Sequence, residues 1–335
     1  MVKKTLFILF IVALVVSPLL GCSGDETTPA AIELVPEKVN MIGCIDLSQI
    51  MEDEDIAQLW QVMPLEPDMP GTLDEALDVA AEESGLDLRD FREGLIFGDI
   101  SEATEDLDYF GIIVKGTFEE NELIASMESE RDEPFTTIEY QGYVLHTDPY
   151  EEMALAFLGS DALVIGSTEA VKDVIAVREA DQSAVSGNLL DTYNGLGDAL
   201  IKAVMIVPPG AVAEGLQEFT GEIPIPLPGL DELADLDTVG MTLAKDGQLI
   251  SLAARMCFTS SESAEAVESL ISLVPMVIEV LQETPGEIPI PQEAQELLQE
   301  LPLELFEKLE MDTTGSCLTV SLELTSVEIE ALLAG

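Results

Sequence analysis

Two periods of hydrophobic and polar positions run along this chain, and they cut it into short strands and amphipathic helices. Over 39–47, Met41, Gly43, Ile45 and Leu47 fall on one side, the two-residue period of a half-buried strand. A helix is expected over about 49–63, with Ile56, Leu59, Trp60 and Met63 as its inner stripe, ended by the proline-rich piece 64–70. Thr72 and Glu75 form a capping-box signature for a helix through Ser84, with Gly85 as its stop. Strands near 94–97 and 109–115 and a helix over 119–128 follow. The strands 136–140 and 143–147 flank Gln141-Gly142, and 153–158 and 162–166 flank Gly159-Ser160-Asp161, both hairpin signals. Ser167 then caps a helix whose inner face is Val171, Val174 and Ile175.

The second half repeats the theme. A strand over 201–207 precedes the break Pro208-Pro209-Gly210 and a helix over 211–219. Strands 238–244 and 248–259 flank Lys245-Asp246-Gly247, a further hairpin. A long helix is expected over 262–281, kinked or broken at Pro275. A strand over 316–324 comes next, and Thr325 with Glu328 caps a last helix through Leu333. Hairpin, hydroxyl cap and short helix occur over 153–178 and again over 309–333, and Gly-Glu-Ile-Pro-Ile-Pro occurs at 221–226 and 286–291, signs of internal duplication. Hairpins interleaved with helices predict an α+β fold: two similar lobes of antiparallel sheet with helices packed on one face. The lobes are expected over 37–183 and 184–335, since periodicity is lost across 181–187.

The front of the chain carries an address. Lys3 and Lys4 precede an apolar run from Leu6 to Val16, then Ser17-Pro18-Leu19-Leu20-Gly21-Cys22. At about 11 residues the run is short of the roughly 20 that a membrane-spanning helix needs, and its order is that of a secretory signal. The Leu-Leu-Gly-Cys ending resembles the lipobox of bacterial lipoproteins. That resemblance implies removal of residues 1–21, lipidation of the Cys22 sulfur, and a flexible tether over 22–36. It places the body outside the cytoplasm, held to the outer face of the membrane or to the cell envelope by its N-terminal lipid. The body's pattern resembles two-lobed α+β bacterial surface lipoproteins, which implies no activity.

Charge narrows the partners. The chain has 66 acidic and 13 basic residues, a net charge of −53, and losing the signal removes two lysines and no acid. Phosphate backbones need basic patches, so nucleic acid is excluded as a natural partner. The same charge opposes anionic lipid head groups. Self-repulsion makes the fold depend on salt or divalent cations, so Ca2+ or other counter-cations are the only cofactors anticipated. At 47% hydrophobic residues the chain still holds enough Leu, Ile and Val to bury a large core.

Of four cysteines, Cys22 goes to lipid. Cys257 sits opposite Ile250, Leu252, Ala254, Met256 and Phe258 on its strand, and Cys317 opposite Leu318, Val320, Leu322 and Leu324. If those strands are neighbours, an exported protein closes a disulfide there; otherwise the two are small residues on a sheet surface. Cys44 is then a leftover thiol, and no Cys-x-x-Cys pair exists for redox or zinc chemistry.

Catalytic vocabulary is sparse. The single histidine, His146, rules out His-x-x-x-His zinc helices, and there is no Gly-x-Ser-x-Gly elbow or phosphate-binding loop. Gly195-Leu196-Gly197 lacks the third glycine of a dinucleotide loop. His146, Asp148 and Glu151 could ligate a metal, but Asp148-Pro149 is equally an ordinary turn start and Glu151 a solvated edge. Carboxylate pairs are so frequent that they discriminate nothing, and aromatics make up only 5%. The sequence therefore reads as non-enzymatic, acting by binding or scaffolding. The alternatives are a carrier or sensor of an apolar ligand and a calcium-stabilised envelope or adhesion module; a protein partner is not specified.

Overall fold

The structure, a computed structural model, describes residues 30–53, 55–57, 60, 70–84, 87–100, 108–117, 119–129, 133–212, 231–283, 303–306 and 308–329. The address at 1–29 and both Pro-Ile-Pro repeats lie outside these residues. In chain order the elements are β1 (Met41–Asp46), α1 (Leu47–Glu52), α2 (Leu73–Ser84), β2 (Phe91–Gly98), β3 (Phe110–Gly116), α3 (Glu120–Ser129), β4 (Thr136–Tyr140), β5 (Tyr143–Thr147), β6 (Met153–Phe157), β7 (Ala162–Ser167), α4 (Thr168–Arg178), α5 (Gly187–Gly195) and β8 (Ile201–Ile206). They continue with β9 (Leu236–Asp246), β10 (Leu249–Phe258), α6 (Ser261–Glu283), α7 (Leu303–Phe306), β11 (Leu309–Thr314) and β12 (Cys317–Thr325). The strands pair antiparallel in the order β11-β12-β10-β9-β8-β1-β2-β3-β7-β6-β5-β4, an α+β fold. The chain divides into two compact units, the first running to Val204 with 242–250 and the end from Leu324, the second holding 205–241 and 251–323.

Within the first unit the ladder is set by local hairpins, Thr136 opposite Thr147 and Phe157 opposite Leu163 among their pairs. Gln141 and Gly142 take the positive φ values of 50° and 86° that a two-residue turn demands. At the centre of this sheet, around β3 and β7, both faces are buried. On one, Leu123 and Met127 of α3 pack with Phe91, Val114 and Leu163. On the other, the neighbouring positions Ala156, Val164 and Ile113 are inaccessible, as are Val171, Val174 and Ile175 of α4. The Ser167 hydroxyl accepts from the Ala170 N–H at 3.4 Å and so starts α4. The stretch 181–187 is fastened here: Val185 N–H donates to the Val35 carbonyl at 2.8 Å, and Ala184 bridges Pro36.

The helix expected over 49–63 starts earlier and breaks. Asp46 caps α1 through the Gln49 N–H at 3.0 Å, and Asp53 is extended. Asp53 then accepts from the N–H groups of Asp55 and Ile56 at 2.9 and 3.2 Å, and from the Lys245 ammonium, which also binds Asp55 at 2.9 Å. Burial would raise the Asp53 carboxyl, but the Lys245 hydrogen bond and the backbone donors hold it below its ordinary value. A single carboxylate committed to so many donors interrupts the helix that periodicity favoured, and helical residues resume at 55–57. Ile56 joins Ile50, Leu200, Ile201, Leu243 and Ile250 in a core cluster, and Trp60 is buried with its indole N–H on the Pro70 carbonyl at 3.2 Å.

The second unit has its own core, where Phe258, Leu318, Ala264 and Val267 are buried with Ile271, Met311 and Val320 against them. α6 runs through Pro275 without ending. No helix among the described residues is long and apolar enough to cross a membrane.

Candidate functional site

The described residues open into a cleft of about 490 Å³ in the first unit, between α1, the start of α2 and the start of β2. Its walls are mixed: Met51, Ala57, Leu73, Leu77 and Phe91 are apolar, and Ser48, Glu52, Thr72, Asp74, Arg89 and Arg92 polar or charged. Leu77 and Phe91 are buried, at 8% and 4% exposure. Local sequence builds each wall. The Glu75 N–H donates to the Thr72 hydroxyl at 3.2 Å and the Glu75 carboxylate accepts from Gly71 N–H at 3.1 Å, the reciprocal cap that starts α2 and aims Leu73 and Leu77 inward. On β2 the register against β3 shifts between Phe91 and Glu93, so Arg92 is the extra residue of a β-bulge. The bulge turns Phe91 onto the Val114 and Leu163 face and leaves Arg92 at the cleft.

The polar groups of the cleft are mostly committed. Arg89 reaches Asp78 at 2.9 Å, Asp87 at 3.3 Å and Asp74 at 3.5 Å, so three carboxylates surround one guanidinium, and its hydrogen bond to Asp78 raises its pKa further. Arg92 donates to the Thr117 hydroxyl at 3.1 Å. Ser48 donates to Asp46 at 2.7 Å, and that carboxylate already holds the Gln49 N–H and side chain. Glu52 is exposed at the rim. A site of this volume, with an apolar patch set among charged and hydroxyl side chains, suits a small ligand that joins an apolar body to a polar head.

Ionisable groups also gather away from the cleft. Glu93 and Asp46 are direct partners across β1 and β2, and Lys115 faces Glu93 from β3. Burial pushes the Glu93 carboxyl up, with Asp46 adding to the shift and Lys115 and Lys202 opposing it. Burial likewise lowers Lys202, whose ammonium bonds the Gly197 carbonyl at 3.2 Å and sits 4.2 Å from the Tyr193 ring centre. A carboxyl raised in the fold contributes stability that is complete below its ordinary pKa and is lost as pH rises through the raised value. Glu93→Gln, which fixes the neutral form, is therefore expected to melt above the parent at pH 8 and to converge with it near pH 4. Parallel thermal melts at the two pH values check this, and an advantage that persisted at pH 4 would contradict it. A second group joins Lys38, Glu169, Asp173 and Tyr109: Lys38 bonds both acids and lies 3.9 Å over the Tyr109 ring, whose hydroxyl donates to Asp173 at 3.1 Å.

The structure brings some sequence-derived candidates together and separates others. Cys257 and Cys317 form a disulfide with S–S 2.10 Å and Cα atoms 4.0 Å apart. Cys44, expected as a leftover thiol, is instead buried on β1 and is not free. His146, Asp148 and Glu151 do not converge. The imidazole lies between the Phe135 and Phe157 rings with Nε2 3.7 Å from Glu120, whereas Asp148 accepts from the Glu152 and Met153 N–H groups. Glu151 is exposed in the turn with φ of 56°. Among the described residues no three His, Cys, Asp or Glu side chains form a group fit to hold a metal ion. Arg89, Arg92 and Phe91 escaped sequence reading; two arginines within four residues of so acidic a chain were the signal available.

No protein-family model matches the chain, and no curated protein matches it. Among solved structures it is similar to TP0453 in crystal forms I, III and IV, at 8%, 7% and 6% identity with TM-scores of 0.43, 0.45 and 0.44. Each comparison covers 92% of this chain and at least 98% of the other. At that distance the likeness carries no functional argument.

Proposed function

We propose that this chain is an exported binding protein, tethered to the outer face of the membrane or to the envelope by lipid on Cys22, which acts without catalysis and seats a small apolar-bodied ligand in the cleft at Phe91 and Leu77. The observation that carries the reading is the cleft itself: five apolar side chains line a space of about 490 Å³, with the Thr72 hydroxyl capping α2 and the Ser48 hydroxyl bonded to Asp46, the cap of α1. The charged n-region and the Leu-Leu-Gly-Cys ending support the anchor.

The test is native mass spectrometry of the mature protein purified gently from its host's envelope, followed by mapping of its N-terminal peptide. A bound species of a few hundred daltons, lost on unfolding, is the expected result; a bare protein mass would overturn the ligand seat in favour of pure scaffolding. The peptide decides the anchor separately, because a lipid thioether and a disulfide cannot share one sulfur. Acyl chains on Cys22 support the tether, whereas a peptide joining Cys22 to Cys44 overturns it.

A further inference from the structure

Resting on the cleft as a ligand seat, we infer that its ligand is a cationic amphiphile, an apolar chain or ring system bearing an ammonium or amidinium head. The walls supply the apolar half of this preference. Phe91 and Leu77 are buried and Met51, Ala57 and Leu73 half-buried, so an aliphatic or aromatic body laid against these five side chains exchanges water for carbon there.

The head group is chosen by charge. Glu52 and Asp74 line the cleft, and Asp78 and Asp87 adjoin it through their bonds to Arg89. Against these four carboxylates stand two guanidiniums, Arg89 and Arg92. Arg89 is surrounded by three of the acids and offers an incoming anion little that they do not already take. Glu52, by contrast, is exposed on α1 at the C-terminal end of the helix, where the helix's own carbonyls add negative potential. Around this local excess lies a chain of net charge −53, whose field concentrates cations and repels anions before contact. An anionic amphiphile such as a fatty acid would enter against both.

The experiment is isothermal titration of the full mature chain with three probes of one chain length, each below its micelle concentration: decyltrimethylammonium, decanoate and decyl maltoside. The expected result is a single saturable site for the ammonium probe, at least about tenfold tighter than decanoate and weakening as sodium chloride rises from about 50 to 500 mM. Ala57→Trp, which fills the cleft, should abolish that site. Glu52→Gln should weaken the ammonium probe several-fold while leaving decyl maltoside unchanged, and a matching melting temperature for each variant establishes that it folds. Decanoate or decyl maltoside binding as tightly as the ammonium probe, and lost in Ala57→Trp, would overturn the cationic class while keeping the seat. Ammonium binding indifferent to Ala57→Trp would be adsorption to the acidic surface and would overturn this inference. Absence of binding by all three would overturn the seat as well.

Discussion

Gly111→Val is expected to destabilise the first unit by about 3 kcal/mol, and truncating Phe97 in the same molecule to recover part of that loss. Phe97 on β2 is wholly buried, faces Gly111 across the β2–β3 ladder and meets Tyr109 at a tilt, with ring centres 6.4 Å apart. A Cβ at Gly111 would overlap the Phe97 ring, so the ring occupies the space that a side chain would otherwise fill. Phe97→Ala alone should cost about 4 kcal/mol through lost burial and the cavity left behind. In the double variant the valine takes up part of that cavity, so the two costs should fall short of their sum by at least about 1 kcal/mol. Gly166, opposite Gly111 on β7, is the control: a Cβ there would overlap the Phe110 carbonyl oxygen, backbone that cannot be trimmed. Gly166→Ala should therefore keep its full cost in the Phe97→Ala background. Urea unfolding of these variants and the parent measures all of this, and strict additivity for Gly111 and Phe97 would show that the ring is not what the glycine accommodates.

The second large effect concerns Cys257 and Cys317. Their bridge spans 60 residues of sequence, and the loop-closure relation for that length gives about 4 kcal/mol of stabilisation. It staples β10 to β12 beside the bond from Arg255 to the Thr319 hydroxyl at 3.2 Å, on the side of the sheet away from Phe258 and Leu318. Replacing both cysteines by alanine should lower the stability of the second unit by about that amount, read by denaturant unfolding of parent and variant under oxidising conditions. An unchanged midpoint would mean that the two strands are held as firmly by their ladder and by the Phe258 and Leu318 core alone.

How much of this could be read in the chain depended on whether the determinant was local. The capping boxes at Thr72 and Thr325 were legible because both halves of each signal lie within one turn. Thr325 and Glu328 bond each other reciprocally, at 2.9 and 3.3 Å to the N–H groups. The hairpin turn at Gln141-Gly142 was legible for the same reason, whereas the turn between β9 and β10 falls at Gly247-Gln248, with Lys245 and Asp246 still in β9. α5 was not: it begins at Gly187 with φ of 69° and carries Asn, Asp and Thr, poor helix formers held by the burial of Leu189, Thr192 and Tyr193. The break at Asp53 depends on Lys245, a residue far along the chain. The bulge at Arg92 is invisible in alternation, because one inserted residue moves Phe91 to the other face while leaving its neighbours' pattern plausible. The cleft was hidden because it is assembled across that bulge and that break.

The place of β1 in the strand order has a consequence for delivery. β1 lies between β2 and β8, and β8 begins only at Ile201. A polypeptide threaded through a translocation pore N-terminus first, as the proposed export requires, presents β1 early and its second hydrogen-bonding partner much later. Through that interval one edge of an apolar strand, with Ile42 and Ile45 on it, stands open to any extended peptide nearby. If the chain is exported as proposed, holding factors on the far side of the pore or a slow emergence would govern yield at this one strand, and export efficiency should respond to substitutions in β8 that leave the finished fold intact.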